Sequence, residues 1–415
     1  MRGSLTVQSF GDFLTGLPGT PLGDGGNGTG FSNINASSVA GGVAERADRM
    51  TDLALFVQDD WKVGSRLTIN AGLRWKYLGL AVDKAGRNGS LDTRLSQAPP
   101  VGGSTSAGFV QISNALRPVP GLSKVSPRLI DNEPNRNFAP RLGMAYRVHK
   151  NLVARAGYGI YYDRLSNQLG LLEALSLPDY VRTDLQGASG ISASLQDPYP
   201  RLPQRSEFSI VPKLYAPPYT NDRSAIGLNA VDPTLRTPYL QQWGLNLQYQ
   251  FTASTLVEVG YQETKGTRLA TQRLTNQPIL ASAERPINGI TTNTAANAAL
   301  RVPYTGFSPT GLVWLETSTD SRYNSLQTSV TRRFSKGFRI VGSYTQAKSL
   351  DNNSGSATGA TFTQTDGDQL RLGLNRGLSD FNRTHRAVMN LSYSIPMWGW
   401  GLNRTEFGKR FLMDG

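Results

Sequence analysis

The chain has no cysteine, which excludes disulfides, zinc–thiolate centres and thiol chemistry. It has two histidines, His149 and His385, in 415 residues. Neither stands at a spacing used by a metal site, and no Gly-x-Ser-x-Gly elbow occurs. With no acid–base or nucleophile constellation in view, the expectation is a protein that is not an enzyme and holds no cofactor. No stretch approaches the ~20 consecutive apolar residues of a spanning helix, and mean hydropathy is −0.34. The opening Met1-Arg2-Gly3-Ser4-Leu5-Thr6 lacks the apolar centre of a signal peptide. An acidic balance is missing too: 43 Lys and Arg face 30 Asp and Glu, a net charge of +13. The basic residues are scattered (Arg74, Lys76, Arg155, Arg333, Arg339) and form no cluster or basic helix. That argues against nucleic acid and for anionic head groups or an anionic solute.

What the chain does have is alternation. Leu67, Ile69, Ala71, Leu73, Trp75 and Tyr77 share one parity, while Thr68, Asn70, Gly72, Arg74 and Lys76 take the other. Successive side chains on a strand point to opposite faces, so this strand has one apolar and one polar wall. The pattern recurs in nine segments, 52–63, 67–77, 140–148, 152–162, 239–250, 255–265, 323–334, 338–348 and 385–395. Arg332 is a departure from apolar parity, next to a turn. Short connections at Gly64-Ser65, His149-Lys150-Asn151, Thr252-Ala253-Ser254 and Ser335-Lys336-Gly337 alternate with long ones at 78–137, 163–238, 266–322 and 349–384. All the long ones fall at one end of the strands. A soluble sandwich also alternates, but has little reason to gather such long connections at one end. Outer-membrane barrels do so, with short periplasmic turns and longer outside loops. Aromatic residues near strand ends, among them Trp61, Trp75, Tyr162, Trp243, Phe334 and Phe338, would sit at head-group depth.

The expected fold is therefore all-β, an antiparallel transmembrane β-barrel with long extracellular loops, in the cell outer membrane. Residues 1–50 are expected to be an upstream loop or strand segment, 51–396 the hairpins, and 397–415 a periplasmic-side segment. Nine strands is an odd count where bacterial single-chain barrels close with an even one. The expectation is an internal portion of a larger barrel, unable to insert stably alone.

Several strings resemble a known family. Ala54-Leu55-Phe56-Val57-Gln58-Asp59-Asp60-Trp61-Lys62-Val63 with Leu67-Thr68-Ile69-Asn70-Ala71-Gly72-Leu73-Arg74-Trp75 resembles a hairpin of TonB-dependent receptors. The group most resembled is the Oar-like receptors with a carboxypeptidase-regulatory-like domain. Asn137-Phe138-Ala139-Pro140-Arg141-Leu142-Gly143, Tyr323-Asn324-Ser325-Leu326-Gln327, Ser343-Tyr344-Thr345-Gln346-Ala347-Lys348-Ser349-Leu350-Asp351 and Phe10-Gly11-Asp12-Phe13-Leu14-Thr15-Gly16-Leu17-Pro18 are similar to further segments of it. The resemblance implies a 22-stranded barrel plugged by an N-terminal domain, taking in a large solute (siderophore, oligosaccharide or peptide) with energy from the TonB complex. No plug, TonB box or carboxypeptidase-like domain is recognisable in the chain. A surface adhesion protein and a passive porin-like channel are the competing readings.

Candidate ligand residues are few. Asp351, Asn353, Asp366 and Asp368 offer oxygen atoms of the kind calcium prefers, within one long loop; a solvated polar loop is the plainer reading. Gly23-Asp24-Gly25-Gly26-Asn27-Gly28 matches a dinucleotide fingerprint by letter but follows no strand and opens no helix, so a flexible loop is expected.

Overall fold

The computed structural model describes residues 2–7, 10–15, 34–42, 45–95, 108–116, 118, 122–131, 136–164, 180–186, 224–294, 297–304, 307–334, 337–354, 363–364 and 367–393. The fold is all-β apart from one six-residue helix and two 3-10 turns among these residues. The chain opens with β1 (Arg2–Val7), the helix α1 (Phe10–Thr15), β2 (Ile34–Gly42) and the two-residue β3 (Asp48–Arg49). The first long hairpin is β4 (Asp52–Val63) and β5 (Leu67–Leu78). Short strands β6 (Val82–Asp83), β7 (Gly89–Leu91), β8 (Phe109–Ile112) and β9 (Ser123–Val125) lead to the second, β10 (Asn137–His149) and β11 (Leu152–Tyr162). After β12 (Tyr180–Gln186) and β13 (Ser224–Val231) comes the third, β14 (Tyr239–Thr252) and β15 (Thr255–Leu274). The fourth pairs β16 (Phe307–Arg333) with β17 (Phe338–Asp351); β18 (Thr363–Gln364) and β19 (Gly377–Leu378) precede β20 (His385–Tyr393).

Nine long strands form one antiparallel meander in the order β4-β5-β10-β11-β14-β15-β16-β17-β20. Short and long connections alternate along it, as the sequence predicts. Two short turns place glycine in the left-handed region, Gly64 at φ 73° and Gly337 at φ 78°, which a side chain disfavours. Among the described residues this meander does not close; β4 and β20 are its two ends.

The register carries the parity from strand to strand. Ile69 lies opposite Met144, which faces Ala156, then Leu245, Tyr261 and Leu326. One row nearer the short turns, Leu67, Tyr146, Ala154, Leu247 and Val259 follow the same path. The result is one apolar band whose side chains remain open: Leu55 is 61% exposed and Met389 68%. In water such a continuous patch invites association; in hydrocarbon it is in its own solvent, and the ladder satisfies the backbone. Rings gather at both ends of the band. At the short-turn end Phe334, Phe338 and Tyr393 lie in sequence at 5.4 and 6.3 Å between centroids, and the Arg332 guanidinium sits 4.6 Å over Phe334. At the other end Tyr162 and Tyr239 lie 5.7 Å apart.

The buried core is not in this wall. It sits at the long-connection end, where Ile130, Val231, Leu235 and Leu315 form one cluster, and Val110, Ile112 and Leu129 another. β15 and β16 overrun their expected ends to reach it: their ladder continues past Lys265 and Arg322 to Leu274 and Val313. β13 joins β16 there in parallel, and β12, β2 and β1 follow outward, so the first strands pair with the loop layer.

Asp83 pins this layer to the chain entering β4. Its buried carboxylate accepts the backbone N–H groups of Ala47 and Arg87, both at 2.9 Å, and the Arg87 guanidinium at 3.2 Å. Burial alone would raise its pKa, but the Arg87 side chain and the backbone N–H donors outweigh it and hold the group down at about 2. A carboxylate depressed in the fold stabilises above its unfolded pKa, ~4, and loses that contribution as pH falls toward the folded value. Protection of the Ala47 and Arg87 amides, corrected for intrinsic exchange, should hold from pH 7 to 5 and fall between about pH 4 and 2. Asp83→Ala should remove it at every pH, leaving those donors unpaired at a cost of ~1–3 kcal/mol. Protection lost already at pH 6 would contradict this assignment.

Candidate functional site

The polar face carries a trough of about 640 Å³. Its floor is bare backbone: Gly143 lies directly opposite Gly157, and Gly157 opposite Gly244. Gly72, Gly159 and Gly260 border the same hollow. Glycine inside a strand weakens it and marks places where something approaches the backbone closely. Here the aligned glycines remove the side chains that would otherwise fill the concave wall.

Around this floor stand amides, Asn70, Gln242, Asn246, Gln262 and Gln327, and two cations, Arg141 and Arg155. Arg141 pairs with Gly159 across the strands, and Tyr161, two residues on, folds its ring back over that glycine. The Arg141 guanidinium then lies 4.8 Å above the Tyr161 ring. A planar cation stacked on an aromatic face is held in position with its edge donors available. The Gln327 amide donates to Ser325 Oγ at 3.0 Å, and Asn70 to the Asp60 carboxylate. The trough thus offers hydrogen-bond donors and acceptors together with two arginines and no carboxylate in its lining, suited to a polar or anionic surface.

A second concavity of about 370 Å³ lies in the loop layer, bordered by Arg94, Asp232, Arg273, Tyr304 and Trp314. Its arginines are already neutralised. Arg94 bridges Asp92 at 2.6 Å and Asp131 at 2.8 Å, and holds the Asp92 carboxyl below its usual range. Arg273 grips Glu316 through two nitrogens at 3.0 and 2.8 Å.

The oxygen-bearing residues named from the sequence are placed as follows. Asp351 closes β17 and accepts the Ser354 hydroxyl at 3.0 Å; Asn353 donates to Thr271 Oγ1. Asp368 accepts the Leu370 and Arg371 N–H groups and pairs with the Arg371 guanidinium at 2.9 Å. Asp366 lies outside the described residues, as does the Gly23–Gly28 string. Among the described residues no group of three His, Cys, Asp or Glu gathers as a metal site. His149 ends β10, and His385 Nδ1 lies 2.7 Å from the Tyr344 hydroxyl. The glycine floor is the feature that strand-by-strand reading misses; its signal is glycine at polar parity in neighbouring strands.

A family model described as "Outer membrane beta barrel domain" matches residues 1–412. No curated protein matches the chain. Among solved structures, the FrpB iron transporter of Neisseria meningitidis is similar at 8% identity and TM-score 0.32, over 77% of this chain and 26% of that one. The outer membrane transporter YddB of Escherichia coli matches at 10% identity and TM-score 0.36, over 88% and 41%. The hemophore receptor HasR of Serratia marcescens, solved with its hemophore HasA and heme, matches at 13% and 0.36, over 76% and 40%. The chain spans well under half the length of each of these proteins.

Proposed function

The chain belongs to the outer-membrane β-barrel family, and from that premise we propose that it is part of the wall of an energised receptor that takes up a large polar solute. The lipid-facing band holds it in the outer membrane. The polar trough faces the path, where it either packs against a plug domain or contacts the passing solute. Siderophore, oligosaccharide and peptide are the solute classes, and coupling runs through a plug domain to the TonB complex. The division of labour follows, with the long loops outside and the strands within 51–396 as wall; residues 397–415 lie outside the described residues.

The observation that carries this reading is the trough. A passive channel works through an open, water-filled lumen. Here the polar wall is hollowed to bare glycine and ringed by amides, a surface shaped for close apposition of another polar body. The receptor-like hairpin strings from Ala54 to Trp75 support the same choice, and an adhesion role gives the trough no task.

Deletion of the gene in its native cell tests the proposal, with growth supplied by ferric siderophores, oligosaccharides or peptides as limiting nutrient. Loss of growth is expected for one class, and in the undeleted strain a protonophore should abolish that uptake. Uptake that persists under the protonophore would instead identify a passive channel.

A further inference from the structure

The apolar face does not fade evenly at the long-connection end; it becomes cationic within two rows. Val257 and Val330 face each other, then Val259 and Thr328, then Tyr261 and Leu326. The next row holds Glu263, Asn324 and Lys348, and the one beyond it Lys265 and Arg322. All share the parity of the lipid-facing band. Lys265, Arg322 and Lys348 stand on three successive strands, a span of about 10 Å at the usual strand spacing. All three are exposed.

Their arrangement is built. Glu263 is only 3% exposed. Arg322 Nε donates to its Oε1 at 2.6 Å, and the Tyr261 hydroxyl lies 2.8 Å from its Oε2 and 2.9 Å from Asn324 Oδ1. The carboxylate therefore serves as an anchor for the Arg322 guanidinium. Lys265 and Lys348 flank it with no hydrogen-bond partner or ion pair among the described residues. Three cations around one carboxylate leave an excess of positive charge at the rim of a hydrocarbon-facing band.

We propose that this row is a docking site for the phosphorylated head group of an outer-leaflet glycolipid. Charge complementarity selects phosphate, which accepts several N–H donors at once. Continuity with the apolar band selects a lipid: an anion seated on Lys265 and Lys348 has its acyl chains lying along Tyr261, Leu326 and Val259 below. The long connections at this end place the row in the outer leaflet. The proposal needs only the membrane setting and is independent of the solute carried.

The test is retention of lipid by the assembled receptor whose wall this chain forms, extracted from outer membranes and exchanged into phosphatidylcholine nanodiscs. Discs carry either a bis-phosphorylated glycolipid or its dephosphorylated form, and bound glycolipid is counted by mass spectrometry. The phosphorylated form should be retained and the dephosphorylated form lost. Lys265→Gln with Lys348→Gln should weaken retention about thirtyfold, as two lysines worth ~1 kcal/mol each at an anionic surface require. Lys62→Gln, on the polar face, should change nothing, and Lys265→Arg with Lys348→Arg should preserve retention. Equal retention of both lipids by the unaltered chain overturns the proposal without recourse to any variant. Displacement by millimolar inorganic phosphate also overturns it, since the site would then be one for free phosphate.

Discussion

Leu247→Arg is expected to prevent assembly of the wall, while Gln248→Arg, one residue on, leaves it intact. Leu247 sits opposite Ala154 and Val259, between the Trp243 and Tyr249 rings, and is 41% exposed. A guanidinium at that depth costs ~2–4 kcal/mol, since hydrocarbon supplies no partner. Gln248 points to the other face, where its amide donates to Glu258 Oε1 at 2.9 Å. An arginine there meets that carboxylate in a polar setting. The same charge moved by one residue thus separates the two environments, because strand parity has a period of two. Heat-modifiable mobility after outer-membrane assembly reads the difference, and urea unfolding in bilayers gives its size. Equal tolerance at both positions would show that the apolar band does not face lipid.

That parity is also what makes the wall legible in the sequence. Asp52–Val63 and Leu152–Tyr162 can be bounded without coordinates because one face meets hydrocarbon and the other a polar space, and turn residues punctuate both ends. Legibility fails where that asymmetry ends. The upper parts of β15 and β16 are covered on both faces, with Thr271, Gln272, Leu315 and Trp314 all buried. With no contrast between faces there is no alternation to read, so these segments pass for loop. The core around Ile130, Val231 and Leu315 is hidden for another reason: its members come from three connections far apart in the chain. The trough falls between the two cases. Gly143 and Gly157 stand equally far from the turn at Lys150, so their pairing follows from the hairpin. The pairing of Gly157 with Gly244 crosses a long connection, and no local rule sets that register.

Because the glycine floor is defined by register, one substitution can test it. A side chain at Gly157 meets only the Leu142 carbonyl oxygen, at 3.7 Å, an ordinary contact. Gly157→Leu therefore fits the sheet, removes a residue that strands disfavour, and projects its bulk into the hollow. Gly244→Leu makes a poor substitute, since a Cβ there lies 3.0 Å from the Tyr261 carbonyl oxygen and the backbone must move. Gly86→Ala marks the opposite extreme: φ is 63° and the Cβ would approach the Asn114 oxygen to 2.4 Å, so the loop layer itself should loosen. For Gly157→Leu the expected result is normal assembly with uptake reduced by about tenfold or more, equivalent to at least ~1.4 kcal/mol of lost apposition at the floor. Transport assays on cells with matched receptor levels, with heat-modifiable mobility as the assembly control, separate the two effects. Unaltered uptake with the hollow filled would remove the trough from the path, and the apposition argument for an energised receptor would go with it.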